Sequence, residues 1–555
     1  MAHNTPKDVF KERSSHNHIY TNNKNSVYAN INTHNHKYSH RDDANSSYSL
    51  NASQKLTQNA FVKKEDKRDL GFFFFLLFLL LVLLCLPSIL RYDENEKFIL
   101  GSSESYYHLR ISEYVFLNGV YPDYDWLSFE GRSFHFVSFY EFLLSFISKV
   151  FGIPLFYLVL FMPVFFGVIS FLLLYYVFIK LEIDKLFRRI FFLLLITSPL
   201  FLYLFSVSNY FYVPFFLLSL CAAFFVSRTK YFGVFSVFFV LIMPFFGYVA
   251  VILCILLLLL FYMMVKGWKV LTLCGYLLLS LIFFKTDIFF KFTFRSYMDF
   301  SHFHFLITDF GFISGFSIFC LILCIIGYIS QFKKEHYYFY EHLFFILFTI
   351  VTLLLFYFID EQVLFFANFV VIYYATYGLI YILKFRYESK FIRPIMIIIL
   401  LSGLLFTPIS YTQQISKFYP DKETVLALEY LGNLSDQSST VFSREENGVL
   451  INSIAKLPNV IDELSVFEIS YYQRSEEIQD IYYTRNISFV DDFFEKYNIG
   501  YVIIDKNMRD DVWIHDNQGF LFLLKTSERF EKIYNTTNIV IYKYSFVNNQ
   551  YAGVK

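Results

Sequence analysis

Glu104-Ser105-Tyr106-Tyr107-His108-Leu109-Arg110, followed by Tyr121-Pro122-Asp123-Tyr124-Asp125-Trp126 and Gly131, is the stretch on which the reading of this chain turns. It sets acid, aromatic, His and Arg on one expected helix. Glu104 and His108 stand four residues apart, as do Tyr106 and Arg110, so the members of each pair share a helix face. Both flanks are apolar: segments 70–90 and 154–180 are long enough to cross a bilayer. Polar groups gathered just outside a bilayer mark a place where lipid headgroups, phosphates or sugars are handled. A solvated helix face with local ion pairs would account for the heptapeptide alone equally well.

The composition sets the class. Of 555 residues, 56% are hydrophobic and 22% aromatic, with 75 Phe, which describes a polytopic α-helical membrane protein. Lys and Arg number 47 and so do Asp and Glu, so no basic surface points to nucleic acid. Phe, Tyr, Asn, Lys and Ile share AT-rich codons, and an aromatic stripe here is therefore weak evidence of sugar stacking. Cys85, Cys221, Cys254, Cys274, Cys320 and Cys324 all fall inside apolar runs and read as small buried hydrophobes, without zinc spacing or disulfide partners.

Residues 1–69 are rich in Asn, His, Ser, Tyr and Lys and cannot bury a core, so a disordered tail is expected. His34, His36 and His40 belong to that low-complexity tract. Lys63, Lys64, Lys67 and Arg68 precede the first apolar segment and place the tail in the cytoplasm, with that segment acting as its own signal anchor. Spans are expected near 70–90, 154–180, 188–206, 209–227, 231–246, 247–265, 270–285, 311–331, 340–359, 363–384 and 394–411, about 11–13 in all. The basic loops around Lys180 to Arg189, Arg228 to Lys230, Lys266 to Lys269, Lys333 to Lys334 and Lys384 to Arg393 then share the cytoplasmic side. Loop 91–134, Asp309, and Asp360 with Glu361 fall outside. This count requires 136–151 to lie at the interface or re-enter, rather than cross.

From about residue 412 the composition becomes that of a soluble domain. Helices are expected at 421–431, 489–497 and 519–525, and strands at 440–443, 501–505 and 538–544, giving an extracytoplasmic α/β domain over 412–555 beyond a membrane domain at 70–411. The membrane is a cell membrane or endoplasmic reticulum. Three sequons, at Asn433, Asn486 and Asn535, lie on that outer side, in a chain Asn-rich enough to hold them by chance.

In its order of features the 104–152 stretch resembles the first external loop of the oligosaccharyltransferase catalytic subunit, in particular the archaeal single-subunit type, a GT-C glycosyltransferase. That family reads Asp-Pro-Tyr-Tyr-His-Leu-Arg or close to it. Here Glu104 stands for the metal-binding Asp and Ser105 for Pro. Ile307-Thr-Asp309-Phe stands where the family has a short acid-bearing motif. Val441-Phe-Ser-Arg-Glu-Glu-Asn-Gly448 follows the rhythm of the segment around Trp-Trp-Asp-Tyr-Gly, and 501–505 has a counterpart strand. The likeness spans roughly 70–545. The chain departs from the pattern at three places: the Trp pair and its Asp have become Arg444-Glu445-Glu446-Asn447, segment 206–214 contains no acid, and 362–368 contains no Arg.

The resemblance implies a GT-C-like bundle that transfers a sugar or oligosaccharide from a polyprenyl-(di)phosphate donor to an acceptor, most simply a protein asparagine. A lipid or hydroxyl acceptor, or a non-catalytic lipid- or partner-binding role, would explain the departures. It implies catalytic roles for Glu104, Asp125 and Asp309, with Mn2+ or Mg2+ on Glu104 and Asp309. Donor phosphate would meet His108, Arg110, His302 and His304. Acceptor-side acids would be Glu445, Glu446, Asp360 and Glu361. For Asp125 a turn following Pro122 is an equal reading, Asp360 with Glu361 also suits an interfacial anchor, and His302 with His304 also suits a membrane interface rich in aromatics. The expected partners are a polyprenyl-phosphate-linked donor, an acceptor protein or lipid, and membrane lipids.

Overall fold

The computed structural model describes residues 69–92, 97–129, 131–134, 139–227, 230–246, 254–255, 258, 274–275, 315–332, 346–354, 364–385, 391–417, 420–434, 439–468, 470–515 and 517–545. The expected tail up to residue 68, nearly all of the spans at 247–265 and 270–285, much of 340–359, and His302, His304, Asp309, Asp360 and Glu361 lie outside them. The chain divides into two units, Met1–Leu70 and Gly71–Lys555, and apart from Asp69 and Leu70, which open the first helix, the features below belong to the second.

The fold begins with helix α1 (Asp69–Leu90), which is apolar on all sides. After it come α2 (Ser103–Asn118), a two-stranded ribbon of β1 (Tyr124–Asp125) and β2 (Arg132–Ser133), α3 (Phe139–Phe151) and α4 (Leu155–Lys180). The single span expected at 188–206 is instead two helices, α5 (Lys185–Thr197) and α6 (Pro199–Ser206), bent by 60°. Proline causes the break. The residue before it is pushed out of the helical region, and Ser198 is extended at φ −75°, ψ 126°. Helices α7 (Tyr212–Val226), α8 (Lys230–Ile242), α9 (Ile318–Phe332), α10 (Leu364–Lys384) and α11 (Ile392–Ser416) complete the described bundle. Among the described residues four helices are long and apolar enough to cross a membrane, or five if α5 and α6 count as one span. The chain is an integral membrane protein.

Two helices meet backbone to backbone. A Cβ on Gly327 of α9 would run into the Tyr374 carbonyl oxygen of α10, and one on Gly378 into the Leu323 carbonyl. Close approach of this kind is what small residues supply in membranes, where no hydrophobic force joins helices.

Helix α3 has only 13 residues, about 20 Å of rise against a core of about 30 Å, so it cannot span by itself. Its polar stripe faces the protein: Tyr140, Glu141, Ser145 and Ser148 are buried, while Phe142, Phe146 and Val150 are exposed.

Beyond α11 the C-terminal portion is α/β. It holds α12 (Lys422–Leu434), β3 (Thr440–Phe442), α13 (Glu445–Leu450), α14 (Tyr471–Tyr483), α15 (Ile487–Lys496), β4 (Ile499–Asp505), α16 (Lys506–Val512), α17 (Gly519–Thr526), β5 (Phe530–Asn535) and β6 (Ile539–Tyr544). The sheet order is β3-β4-β6-β5, with β3 parallel to β4 and the other pairs antiparallel. Strand β4 is buried along nearly all its length, as its run of Val and Ile predicts. Four elements were not expected. Helices α13 and α16 are short, α14 is polar outside the inward Ile478, Ile481 and Tyr482, and β5 is a half-exposed edge strand.

Candidate functional site

Helix α2 is well started and well stopped. The Ser102 hydroxyl caps it by accepting from the Ser105 amide at 3.1 Å, and Gly119, at φ +76°, ends it with its N–H on the Val115 carbonyl. Glu104 sits in the first turn, where a carboxylate suits the helix dipole. His108, one turn on, is buried and places Nε2 3.4 Å from Glu104 Oε1. Its other nitrogen, Nδ1, lies 2.7 Å from Glu141 Oε1, an acid carried in by α3. The Tyr121 hydroxyl donates to the second Glu141 oxygen at 3.1 Å, and the Tyr140 ring stands edge-on to the imidazole at 4.7 Å. Burial alone would lower the His108 pKa, but its hydrogen bonds to the two glutamates and their charges outweigh it and raise it to about 9. At neutral pH the imidazole is therefore a cation between two acids.

The ribbon carries the second pairing. Asp125 lies opposite Arg132 in the β1–β2 register, and both oxygens of Asp125 accept from the Arg110 guanidinium, at 2.9 and 2.6 Å. Despite burial, which favours the neutral acid, Arg110 holds the Asp125 carboxyl below the ordinary carboxylate range. Arg132 Nε donates to the Ser128 hydroxyl at 2.5 Å, and that hydroxyl donates to Asp462. Asp462, 1% exposed, also accepts from Asn452, Asn459, Ser465 and the Leu464 amide. The same loop is gripped from outside. Phe129, at φ +56°, donates its amide to the Asn459 side chain, and Arg474 covers its ring at 3.6 Å.

Segment 206–214 supplies hydroxyls where the resemblance leads one to expect an acid. Ser208 pairs with the Tyr140 hydroxyl, which accepts from Tyr212 at 3.0 Å, and the Ser208 carbonyl accepts from Ser105 Oγ at 3.2 Å. Asn209 is turned back on its own backbone.

Glu445 and Glu446 open α13, which packs on α2 through Val449 against Tyr107, Ile111 and Val115. Glu445 accepts from the Tyr471 hydroxyl at 2.9 Å, and burial pushes its pKa up to about 7. Glu446 is exposed, 3.5 Å from Arg444, whose nearer partner is Asp505 at 3.1 Å.

Of the sequence-predicted residues, then, Glu104 and His108 come together, and Arg110 and Asp125 come together as a separate, closed pair. Glu445 and Glu446 sit on a helix packed against α2. His302, His304, Asp309, Asp360 and Glu361 fall outside the described residues. Glu141 was missed, although its signal was present: Glu141, Ser145 and Ser148 recur at helical spacing inside a Phe-rich segment.

Among the described residues no group of three or more His, Cys, Asp or Glu side chains is placed to hold a metal ion. Glu104 is the one carboxylate of the α2 cluster with substantial exposure, its side chain 25% accessible against 2% for Glu141. The described residues do not by themselves make a divalent-cation site.

No protein-family model matches the sequence, and no curated protein does. Solved structures do match. The crystal structure of the Archaeoglobus fulgidus oligosaccharyltransferase tethered with an acceptor peptide containing the NVT sequon aligns at TM-score 0.54 and 13% identity, over 85% of this chain and 74% of that one. The chain has the GT-C fold of that enzyme. The same oligosaccharyltransferase in complex with Zn and sulfate aligns at TM-score 0.54 and 14% identity, over 78% of this chain and 68% of that one. With an inhibitory peptide and a dolichol-phosphate it aligns at 0.53 and 12%, over 78% and 70%. At these identities the likeness speaks for the GT-C scaffold; the chemistry has to be argued from the side chains.

Proposed function

We propose that this protein is a membrane glycosyltransferase that transfers a sugar or oligosaccharide from a polyprenyl-(di)phosphate donor, with protein asparagine as the acceptor. The observation that carries the reading is the Glu104–His108–Glu141 cluster. On a GT-C fold it presents one accessible carboxylate at the start of a well-capped helix, beside apolar spans able to hold a lipid chain. The topology proposed with it has residues 1–69 in the cytoplasm, 70–411 in the membrane and 412–555 on the outer side.

In the reaction the acceptor attacks the anomeric carbon and gives up its proton to solvent, the bond from that carbon to the glycosidic oxygen breaks, and the lipid phosphate leaves with that oxygen and its charge. Glu104 is the acid proposed to act at that centre. His108 and Arg110, both committed to carboxylates, are poor candidates for meeting the phosphate directly; His302 and His304 take that part in the proposal. Mn2+ or Mg2+ would need Asp309 beside Glu104, and no step is assigned to it. Asp125 is proposed to serve Arg110 rather than the substrate, and Asp360 and Glu361 stay acceptor-side candidates with Glu445 and Glu446.

A second reading, a lipid or hydroxyl acceptor, is favoured by one observation. Where the resemblance places the Trp-Trp-Asp segment, Arg444 and Asn447 are both bonded to Asp505, Asn447 at 2.7 Å. The test supplies full-length protein with lipid-linked donors extracted from the producing cells, and either a sequon peptide or membrane lipids as acceptor. Glycopeptide formation supports the first reading and glycolipid formation the second. Glu104→Gln is expected to lower either by about 100-fold, the scale of a general acid–base or electrostatic contribution. Transfer undiminished in Glu104→Gln would remove the proposed role of this cluster.

A further inference from the structure

We infer that Glu141 is the positioning residue of this site: it fixes the ring of His108 and, through that ring, the carboxylate of Glu104. The inference rests on the glycosyltransferase reading above for the reaction it serves, but its geometry stands apart from that reading.

The imidazole is held at both nitrogens and across its face. Glu141 Oε1 lies 2.7 Å from Nδ1, Glu104 Oε1 lies 3.4 Å from Nε2, and Tyr140 stands edge-on at 4.7 Å. The shorter contact is the buried one, so Glu141 is the anchor and Glu104 the end that reaches solvent. Glu141 is itself fixed, because Tyr121 donates to its other oxygen at 3.1 Å. The order runs from the half-buried Tyr121 and the buried Glu141, through His108, to the partly accessible Glu104. A His whose far nitrogen is tied to a carboxylate keeps one ring orientation and presents its near nitrogen in a set direction.

Docking of α3 does not require this acid. Ser145 of α3 already donates to the Ser112 carbonyl of α2 at 2.7 Å, and Leu144 packs into the shared core. Burying a carboxylate costs several kcal/mol before its partners compensate it. A helix that only had to pack could have carried Leu or Ser at this position. The acid at 141 is explained by what it holds.

The test uses full-length protein in detergent with 15N-labelled histidine. The His108 ring signal is identified by its loss in His108→Gln. A slowly exchanging ring N–H is expected in the native protein, lost or strongly shifted in Glu141→Gln and retained in Glu104→Gln. In parallel, consumption of lipid-linked donors extracted from the producing cells is followed. Glu141→Gln should lower kcat by about 10- to 100-fold, the range seen when the carboxylate behind a functional His is removed. KM for donor should stay within about twofold, because an interaction felt only in the transition state is lost. Tyr121→Phe, which leaves Glu141 in place, should show a smaller fall in kcat and covers the case in which Glu141→Gln does not fold. An unchanged ring signal in Glu141→Gln, or a loss of activity that appears only as a raised KM, would overturn the inference. If the native protein consumes no donor, the glycosyltransferase reading fails, and the ring signal alone still decides the positioning.

Discussion

Replacing Asp125 by Asn separates two uses of Arg110. If the guanidinium is there for a donor phosphate, neutralising Asp125 should free it, leaving stability nearly unchanged and strengthening phosphate binding. The geometry argues the opposite. The Arg110 and Asp125 side chains are 10% and 5% exposed, and they meet through two parallel hydrogen bonds of 2.9 and 2.6 Å. Removing one partner of such a pair leaves a buried charge uncompensated, at a cost of about 3–5 kcal/mol. Removing both should cost less than removing either alone, because in the double variant Arg110→Met with Asp125→Leu the one charge lacking its partner is Arg132, which lies 4.0 Å from Asp125 and keeps its bond to Ser128. Trp126 adjoins the pair and lies against Tyr124, ring centroids 4.3 Å apart and planes tilted by 60°, so its fluorescence reports on the loop. Denaturant unfolding of the four forms, followed by that emission, gives the coupling as a double-mutant cycle. Dolichyl phosphate binding is measured on the same samples. A cost for Asp125→Asn below about 1 kcal/mol, together with tighter dolichyl phosphate binding, would return Arg110 to the donor site.

Two further outcomes follow from the fold. Glu445 has its pKa raised by burial to about 7, above the ordinary 4.5. The folded protein therefore holds this proton longer than the unfolded chain, and stability falls as pH rises from about 4.5 through 7. Glu445→Gln should gain about 1–2 kcal/mol relative to the native protein at pH 8, after allowance for partial solvent exposure, and nothing at pH 4; a constant difference across that range would contradict it. Gly327→Ala and Gly378→Ala should each cost about 1–3 kcal/mol or more, since the new methyl meets a carbonyl of the facing helix. Because the two glycines serve one helix contact, their double variant should fall short of additivity in thermal unfolding.

The bundle helices were legible because an apolar run of span length has few other uses, and the long α4, α10 and α11 fall where the runs do. The bend at Ser198 was legible in principle, since Pro199 stands inside the run, but the length of the apolar stretch outweighed a single residue. Strand β4 could be read from Tyr-Val-Ile-Ile. Strand β5, Phe-Glu-Lys-Ile-Tyr-Asn, could not: an edge strand needs no inward apolar row, and its identity comes from pairing with β6.

The site divides along the same line between local and distant information. Glu104 and His108 were paired correctly because helix periodicity is local. The partner of Arg110 was not, because that contact depends on the register of a two-stranded ribbon and a left-handed Phe129 that no periodicity encodes. A physical reason also explains why paper roles for basic residues shift in this setting. Beside a membrane the surroundings screen poorly, and every buried charge must find an opposite charge or several hydrogen bonds. His108, Arg110 and Asp462 have each met that demand inside the protein. Charges committed to the fold in this way cannot also meet a substrate without breaking what they hold. The residue that matters chemically is then the one whose network leaves it facing outward, and within the α2 cluster that is Glu104. Its orientation depends in turn on Glu141, which holds it through the His108 ring.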